Sequence, residues 1–259
     1  MVTQRVLVIG NSHVGALQRG LKLIAESTDG NGLGFDFEFI NLSHLNFAPN
    51  LEDAPGGRRK INRNLSAAIE AAEPEMIVSA IGGNAHNIFG LVNHPEPFDF
   101  VLPEMPDLPL DAAATVIPYR SMLEMFRKKA SRPKELLSAI LRTYRQPRIH
   151  IESPPPVPSE DHLKRYPGVF KEKMVEHGVA PAQLRFKLWR VNSLAFREVC
   201  NELGIEFLPV PARIQDDDGM LRKQYWNTDP THGNKLYGAE ILRYLAVQLT
   251  RVRAQGVNV

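Results

Sequence analysis

The chain has 259 residues, 43% of them hydrophobic and 23% charged, a composition suited to one large α/β domain spanning 1–259. A formal net charge of +2 gives no reason to expect a nucleic-acid partner. No stretch approaches the roughly 18 consecutive apolar residues of a membrane span, and the single cysteine, Cys200, excludes an intramolecular disulfide. The first apolar run, at 6–9, is too short for a leader and reads as a strand, so the chain as written is expected to be cytoplasmic, a removed leader apart.

Residues 5–9 read as a buried strand running into Gly10-Asn11-Ser12-His13-Val14-Gly15. Val14, Leu17, Leu21 and Ile24 then recur at helical spacing, and the cluster Asp29-Gly-Asn-Gly-Leu-Gly34 closes that unit as a turn. Phe35, Phe37 and Phe39 alternate with Asp36 and Glu38, which is strand periodicity. A long loop is expected over 43–60, followed by a helix with Ile61, Leu65, Ile69 and Ala72 on one face and a stop at Glu73-Pro74. A third strand over 75–81 runs into Gly82-Gly83-Asn84-Ala85-His86-Asn87. This βαβαβ alternation opens a doubly wound parallel sheet.

The proline-rich stretch 89–118 is expected to be an ordered insertion or lid. Two helices follow, over 119–130 and 133–145, divided at Arg132-Pro133, and then a fourth strand over 148–152 that ends at Ser153-Pro154-Pro155-Pro156. A second insertion covers 157–182. Leu184, Leu188, Val191, Ala195, Val199 and Leu203 mark a long helix closed by Gly204, then come a short strand over 205–208 and a final helix over 234–252.

Three short blocks carry chemistry. Ser12 stands where a strand turns into a helix, so it is either the helix cap or a nucleophile. A phosphate loop is excluded there, because the Gly-Lys-Ser/Thr ending that brings a lysine to the phosphates is missing. Asp229-Pro230-Thr231-His232, before the last helix, is either an Asx turn beside a loop histidine or a carboxylate orienting a general base. Gly82-Gly83-Asn84 is either a plain turn or the source of a side-chain amide for an oxyanion. With the strand order 2-1-3-4-5, strands one and three lie side by side, and Ser12 and Asn84 face one crevice.

Gly10-Asn11-Ser12, Gly82-Gly83-Asn84 and Asp229-Pro230-Thr231-His232, in that order, resemble the SGNH (GDSL-type) hydrolases. The resemblance implies a flavodoxin-like three-layer α/β/α sandwich with a five-stranded, mainly parallel sheet and insertions over its carboxyl edge. It implies a serine esterase needing no cofactor or metal and acting on small-molecule or glycan esters, with Ser12 as nucleophile and His232 as base oriented by Asp229. The oxyanion would be held by the Ser12 amide, the Asn84 side chain and a loop glycine, Gly57 in preference to Gly56. An O-acyltransferase with the same triad and a non-catalytic binding module are the rival expectations. Two residues depart from the family pattern: Asn11 replaces its usual aspartate, and Ala85 stands where aspartate commonly follows the asparagine, so that loop needs bracing from elsewhere.

Lesser candidates lie nearby. His13 and His86 either line the cleft as substrate contacts or are solvated loop histidines, and Pro155 in the Pro154–Pro156 run would form a stiff wall. Phe98, Phe100 and Tyr166 either line the cleft or pack the insertions. Arg58-Arg59-Lys60 either attracts an acidic substrate or forms a solvated helix start. The basic residues from Arg120 to Arg148 read as wet helix faces, and Asp216-Asp217-Asp218-Gly219 reads as a turn that lacks a full calcium-ligand pattern.

Overall fold

The structure is a computed structural model that describes residues 3–27, 32–144 and 149–254. Asp29, Gly30 and Asn31 of the expected turn, and Arg148 of the expected fourth strand, lie outside the described residues.

β1 (Gln4–Gly10) passes through a short turn into α1 (Val14–Ala25), and β2 (Phe35–Asn41) follows. The expected loop over 43–60 is instead a small antiparallel hairpin, β3 (Leu51–Asp53) and β4 (Arg59–Ile61), closed by a 3-10 turn at Pro55–Gly57. Three-residue strands are too short to print an alternation on the sequence, which is why the segment reads as a loop. α2 (Arg63–Ala72) starts at Asn62, whose side chain accepts from the amides of Asn64 and Leu65, and ends at Glu73 in the left-handed region before Pro74. β5 (Met76–Ala80) and the short α3 (Ala85–Gly90) complete this half.

The stretch 89–118 is ordered around β6 (Phe98–Asp99) and β7 (Thr115–Val116). α4 (Tyr119–Tyr144) is one helix, not two, and runs straight through Pro133. Pro133 lacks one helical N–H, but Phe126 and Ala130 before it and Leu137 and Ile140 after it are buried in the same cluster. Packing of that shared face outweighs a local proline penalty of about 3 kcal/mol. β8 (Ile149–Ile151) precedes α5 (Glu160–Arg165) and α6 (Lys171–His177). α7 (Ala182–Leu203) then ends at Gly204 in the left-handed conformation, as expected, before β9 (Glu206–Leu208) and α8 (Lys235–Ala254).

The central sheet has the order β2-β1-β5-β8-β9, and every pairing in it is parallel. Counted among its own strands this is the expected 2-1-3-4-5. Side chains alternate across it. Val6 and Val8 of β1 and Val78 of β5 face α1 and α8, whereas Leu7, Ile9 and Ile77 face α2, α4 and α7. Both faces are covered, which is why 6–9 in β1 and 76–78 in β5 read as unbroken apolar runs.

The two insertions have definite seats. Asp99 forms a buried ion pair with Lys187 of α7 (2.9 Å), and Phe100 and Leu102 are core residues, so the first insertion is fastened to α7. In the second, His162 Nε2 lies 2.8 Å from the Asn227 carbonyl and its ring packs on Trp226. That insertion therefore flanks the loop carrying Asp229 and His232. No helix among the described residues is long and apolar enough to cross a membrane.

Candidate active site at the carboxyl edge of the sheet

Ser12 sits two residues beyond the end of β1. The turn 11–13 is held by its own backbone, with the Val14 and Gly15 amides donating to the Asn11 and Ser12 carbonyls (both 3.1 Å). No side chain caps the start of α1. The Ser12 hydroxyl is instead 2.7 Å from His232 Nε2, which settles the choice between cap and partner of the histidine.

His232 comes from the other end of the chain. Its Nδ1 is 2.9 Å from Asp229 Oδ1, and that same oxygen accepts from the backbone amides of Thr231 and His232 (both 2.9 Å). Both alternatives for this block are therefore present at once: the aspartate closes an Asx turn and also holds the imidazole. Burial opposes ionisation of Asp229, but the bond from the His232 side chain and the two amide bonds outweigh it. They hold its carboxyl below the usual carboxylate range. The carboxylate fixes Nδ1 as the protonated nitrogen, leaving Nε2 to accept from Ser12.

Three residues that the sequence reading did not single out stabilise this loop. Thr231 Oγ1 lies 3.0 Å from His232 Nδ1, and the Asn227 side chain donates to Asp229 Oδ2. Asn234 does two jobs. Its Oδ1 accepts from Leu236 and Tyr237 in the first turn of α8, while its Nδ2 donates to the Gln224 and Trp226 carbonyls. An asparagine just ahead of a helical pattern was the available signal.

Asn84 stands at the start of α3, with φ −103° and ψ 2°. Its Oδ1 accepts from Asn87 Nδ2 (2.8 Å), and its own Nδ2 makes no hydrogen bond among the described residues. The Ser12 amide is likewise unengaged among the described residues. Asn11 Oδ1 accepts from the Gly82 amide (2.8 Å), tying the serine turn to the asparagine turn. Asn87 and Asn11 thus supply the bracing expected to come from somewhere other than position 85. Gly83 has φ +88°, and a Cβ there would lie 2.9 Å from Ser153 Cβ, so only glycine lets the turn lie against the exit of β8. Pro155 is buried within that exit.

Gly57, the loop glycine of the expected set, has no atom of Ser12 within 4 Å of a Cβ built on it. It lies at the exposed tip of the β3–β4 hairpin with nothing within 4 Å of a Cβ built there, and Gly56 is in the same position. The hairpin leans on α4 instead, where Arg142 donates to the Arg59 carbonyl (2.7 Å).

His13 and His86 are not solvated. Both are buried, with relative exposures of 8% and 2%. The His13 ring packs beside that of His232, with their centroids 4.8 Å apart. Burial first, then the neighbouring His232 and His86, lowers His13 to about 3, and burial likewise lowers His86 to about 3. Both rings are neutral at pH 7. Phe100 is fully buried against Tyr119, and Tyr166 packs on His162, so both belong to packing. Asp216 to Gly219 form a turn in which Asp216 Oδ1 accepts from Asp218 and Met220. No group of three potential metal ligands occurs among the described residues.

No family model and no curated protein matches the chain. Solved structures similar to it include the periplasmic domain of a lipopolysaccharide acetyltransferase from Salmonella ser. Paratyphi A, at 12% identity and a TM-score of 0.48, covering 97% of this chain and 84% of that one. Another is a carbohydrate acetylesterase from Sinorhizobium meliloti, at 13% identity and a TM-score of 0.46, covering 96% of this chain and 100% of that one. A third is the aryl esterase of M. Smegmatis, at 17% identity and a TM-score of 0.43, covering 96% and 99%. The parallel sheet in the order 2-1-3-4-5, with the serine and asparagine turns tied together and the serine bonded to the histidine, is the arrangement that the resemblance to the SGNH (GDSL-type) hydrolases implied.

Proposed function

We propose that this protein is a serine hydrolase that cleaves carboxylic esters, with small acyl groups or O-acetyl groups on a sugar or other alcohol as its substrates. The observation that carries this reading is the continuous chain from Asp229 through His232 to Ser12, with links of 2.9 and 2.7 Å. A capping serine and an unrelated loop histidine have no reason to meet across 220 residues of sequence.

In this reading Ser12 attacks the ester carbonyl as its proton passes to His232 Nε2, and Asp229 stabilises the imidazolium through Nδ1. The tetrahedral oxyanion is received by the Ser12 amide and Asn84 Nδ2, two donors without other partners among the described residues. His232 returns the proton to the leaving alcohol. Water then attacks the acyl-serine by the same route and releases the acid.

The test is hydrolysis of p-nitrophenyl acetate and butyrate together with labelling by a fluorophosphonate. Wild type turns over both esters and is labelled at Ser12, and Ser12→Ala does neither. Undiminished turnover by Ser12→Ala would sink the proposal.

A further inference from the structure

A cavity of about 370 Å³ opens beside Asn11 and Gly82, the two residues whose hydrogen bond joins the serine and asparagine turns. Its lining is mixed: Leu42, Leu51, Leu136 and Pro133 supply apolar surface, Asn11 and Asn50 supply amides, and two arginines, Arg59 and Arg132, stand among its walls. Their charges are not equivalent. Arg59 is occupied by Asp53 (3.4 Å), Glu135 (3.7 Å) and the Leu51 carbonyl. Arg132 is exposed and makes no ion pair or hydrogen bond among the described residues. A cavity of mixed lining, with one guanidinium at its wall that is uncompensated among the described residues, suits an amphiphilic ligand ending in an anion.

From this we infer that the cavity holds the acyl part of the substrate and that Arg132 binds a carboxylate at its far end. The inference rests on the esterase reading of Ser12. The side is given by the fold. His232, which serves the leaving alcohol, arrives from the α1–α8 side of the sheet, whereas the cavity is walled by β3, β4 and α4 on the opposite side. An ester carbonyl over Ser12 therefore directs its alcohol towards His232 and its acyl chain towards Arg132. The preferred ester is a half-ester of a short dicarboxylic acid.

The experiment compares kcat/KM for the mono-p-nitrophenyl ester of glutaric acid with that for p-nitrophenyl butyrate, in wild type, Arg132→Gln, Arg132→Glu and Arg120→Gln. The last removes an exposed arginine elsewhere on α4. Wild type favours the anionic ester, and this preference falls about tenfold in Arg132→Gln, inverts in Arg132→Glu and is unchanged in Arg120→Gln. In wild type the preference shrinks as salt is added. A second pair places the charge on the alcohol, 4-acetoxybenzoate against phenyl acetate, and shows no dependence on Arg132. Equal use of the two acyl esters by wild type, a preference that survives Arg132→Glu, or a preference confined to the alcohol side overturns the inference while leaving Ser12 as nucleophile. Absence of turnover of every ester together with absence of fluorophosphonate labelling overturns the esterase reading, and the inference falls with it.

Discussion

Asn87 Nδ2 donates to Asn84 Oδ1 at 2.8 Å, and this single bond decides which end of the Asn84 amide is left over. With its oxygen occupied, Asn84 offers only N–H to a neighbouring charge. Asn84→Ala is expected to lower kcat by about 10²–10³ if Asn84 is an oxyanion donor. Asn87→Ala, which frees the amide to rotate, should lower kcat roughly tenfold with a smaller effect on KM. Asn87→Asp should do more harm than alanine, because a carboxylate there draws the Asn84 NH₂ towards itself and turns the oxygen to the site. Steady-state kinetics on p-nitrophenyl butyrate rank the three, and an aspartate variant faster than the alanine variant would refute the orientation argument.

Asp229 orients His232 through Nδ1, and its contribution can be isolated. Asp229→Asn keeps the shape but presents an amide where the imidazole needs an acceptor, so kcat should drop by about 10⁴. The Asx turn also loses its charge-assisted bonds to the Thr231 and His232 amides. A measurable fall in Tm should therefore accompany the kinetic loss, and loss of rate with no change in Tm would separate the two roles of this carboxylate.

Acid should unfold this protein early. His13 and His86 are held at about 3 by burial, against an ordinary value of 6.5. Between those values the unfolded chain takes up protons that the folded chain refuses, so stability is complete above pH 6.5 and declines as pH falls. Each such histidine adds about 1.4 kcal/mol per pH unit to the slope. Asp229, held below the usual carboxylate range, adds a further loss as pH falls below about 4, the ordinary value for an unfolded aspartate. Urea midpoints taken at pH 7.5 and 5 should differ clearly in wild type and less in His86→Phe. Equal midpoints in wild type would contradict burial of neutral rings.

The Lys187–Asp99 pair fastens the first insertion to α7 from inside, and Lys187 is fully buried. Asp99 also accepts from the Phe100 and Asp111 amides, so removing its cation leaves a buried carboxylate with amides alone. Lys187→Met should cost about 3–5 kcal/mol, read from denaturant midpoints. The double change Lys187→Met with Asp99→Leu should recover part of that loss.

α1 and α8 approach closely where glycines meet backbone. A Cβ at Gly238 would lie 1.8 Å from the Ala16 carbonyl oxygen, and one at Gly20 would lie 2.3 Å from the Ala239 nitrogen. Gly238→Ala should destabilise by about 3 kcal/mol. Since α1 follows Ser12 and α8 follows His232, it should also lower kcat. A variant with normal Tm and normal kcat would show that the helices can part without consequence.

The order of the central strands, the long helix ended by Gly204 and the three blocks around Ser12, Asn84 and His232 were all legible in the sequence. Each is written in local chemistry: alternating or continuous apolar runs, a glycine at a left-handed position, and turn residues at strand ends. The hairpin at 51–61 was not legible, because three-residue strands carry no period, and the continuity of α4 through Pro133 was decided by burial on both sides of it. Only the tertiary structure could pair Asp99 with Lys187, bury His13 and His86, leave Gly57 at a hairpin tip and bring Arg132, unpaired among the described residues, to the cavity that Asn11 also lines. The physical reason is the same throughout. Propensity and periodicity act over a few residues, so sequence states them directly. Burial, charge pairing and the reach of one loop to another depend on distances between residues far apart in the chain, and those distances exist only once the sheet has closed its layers.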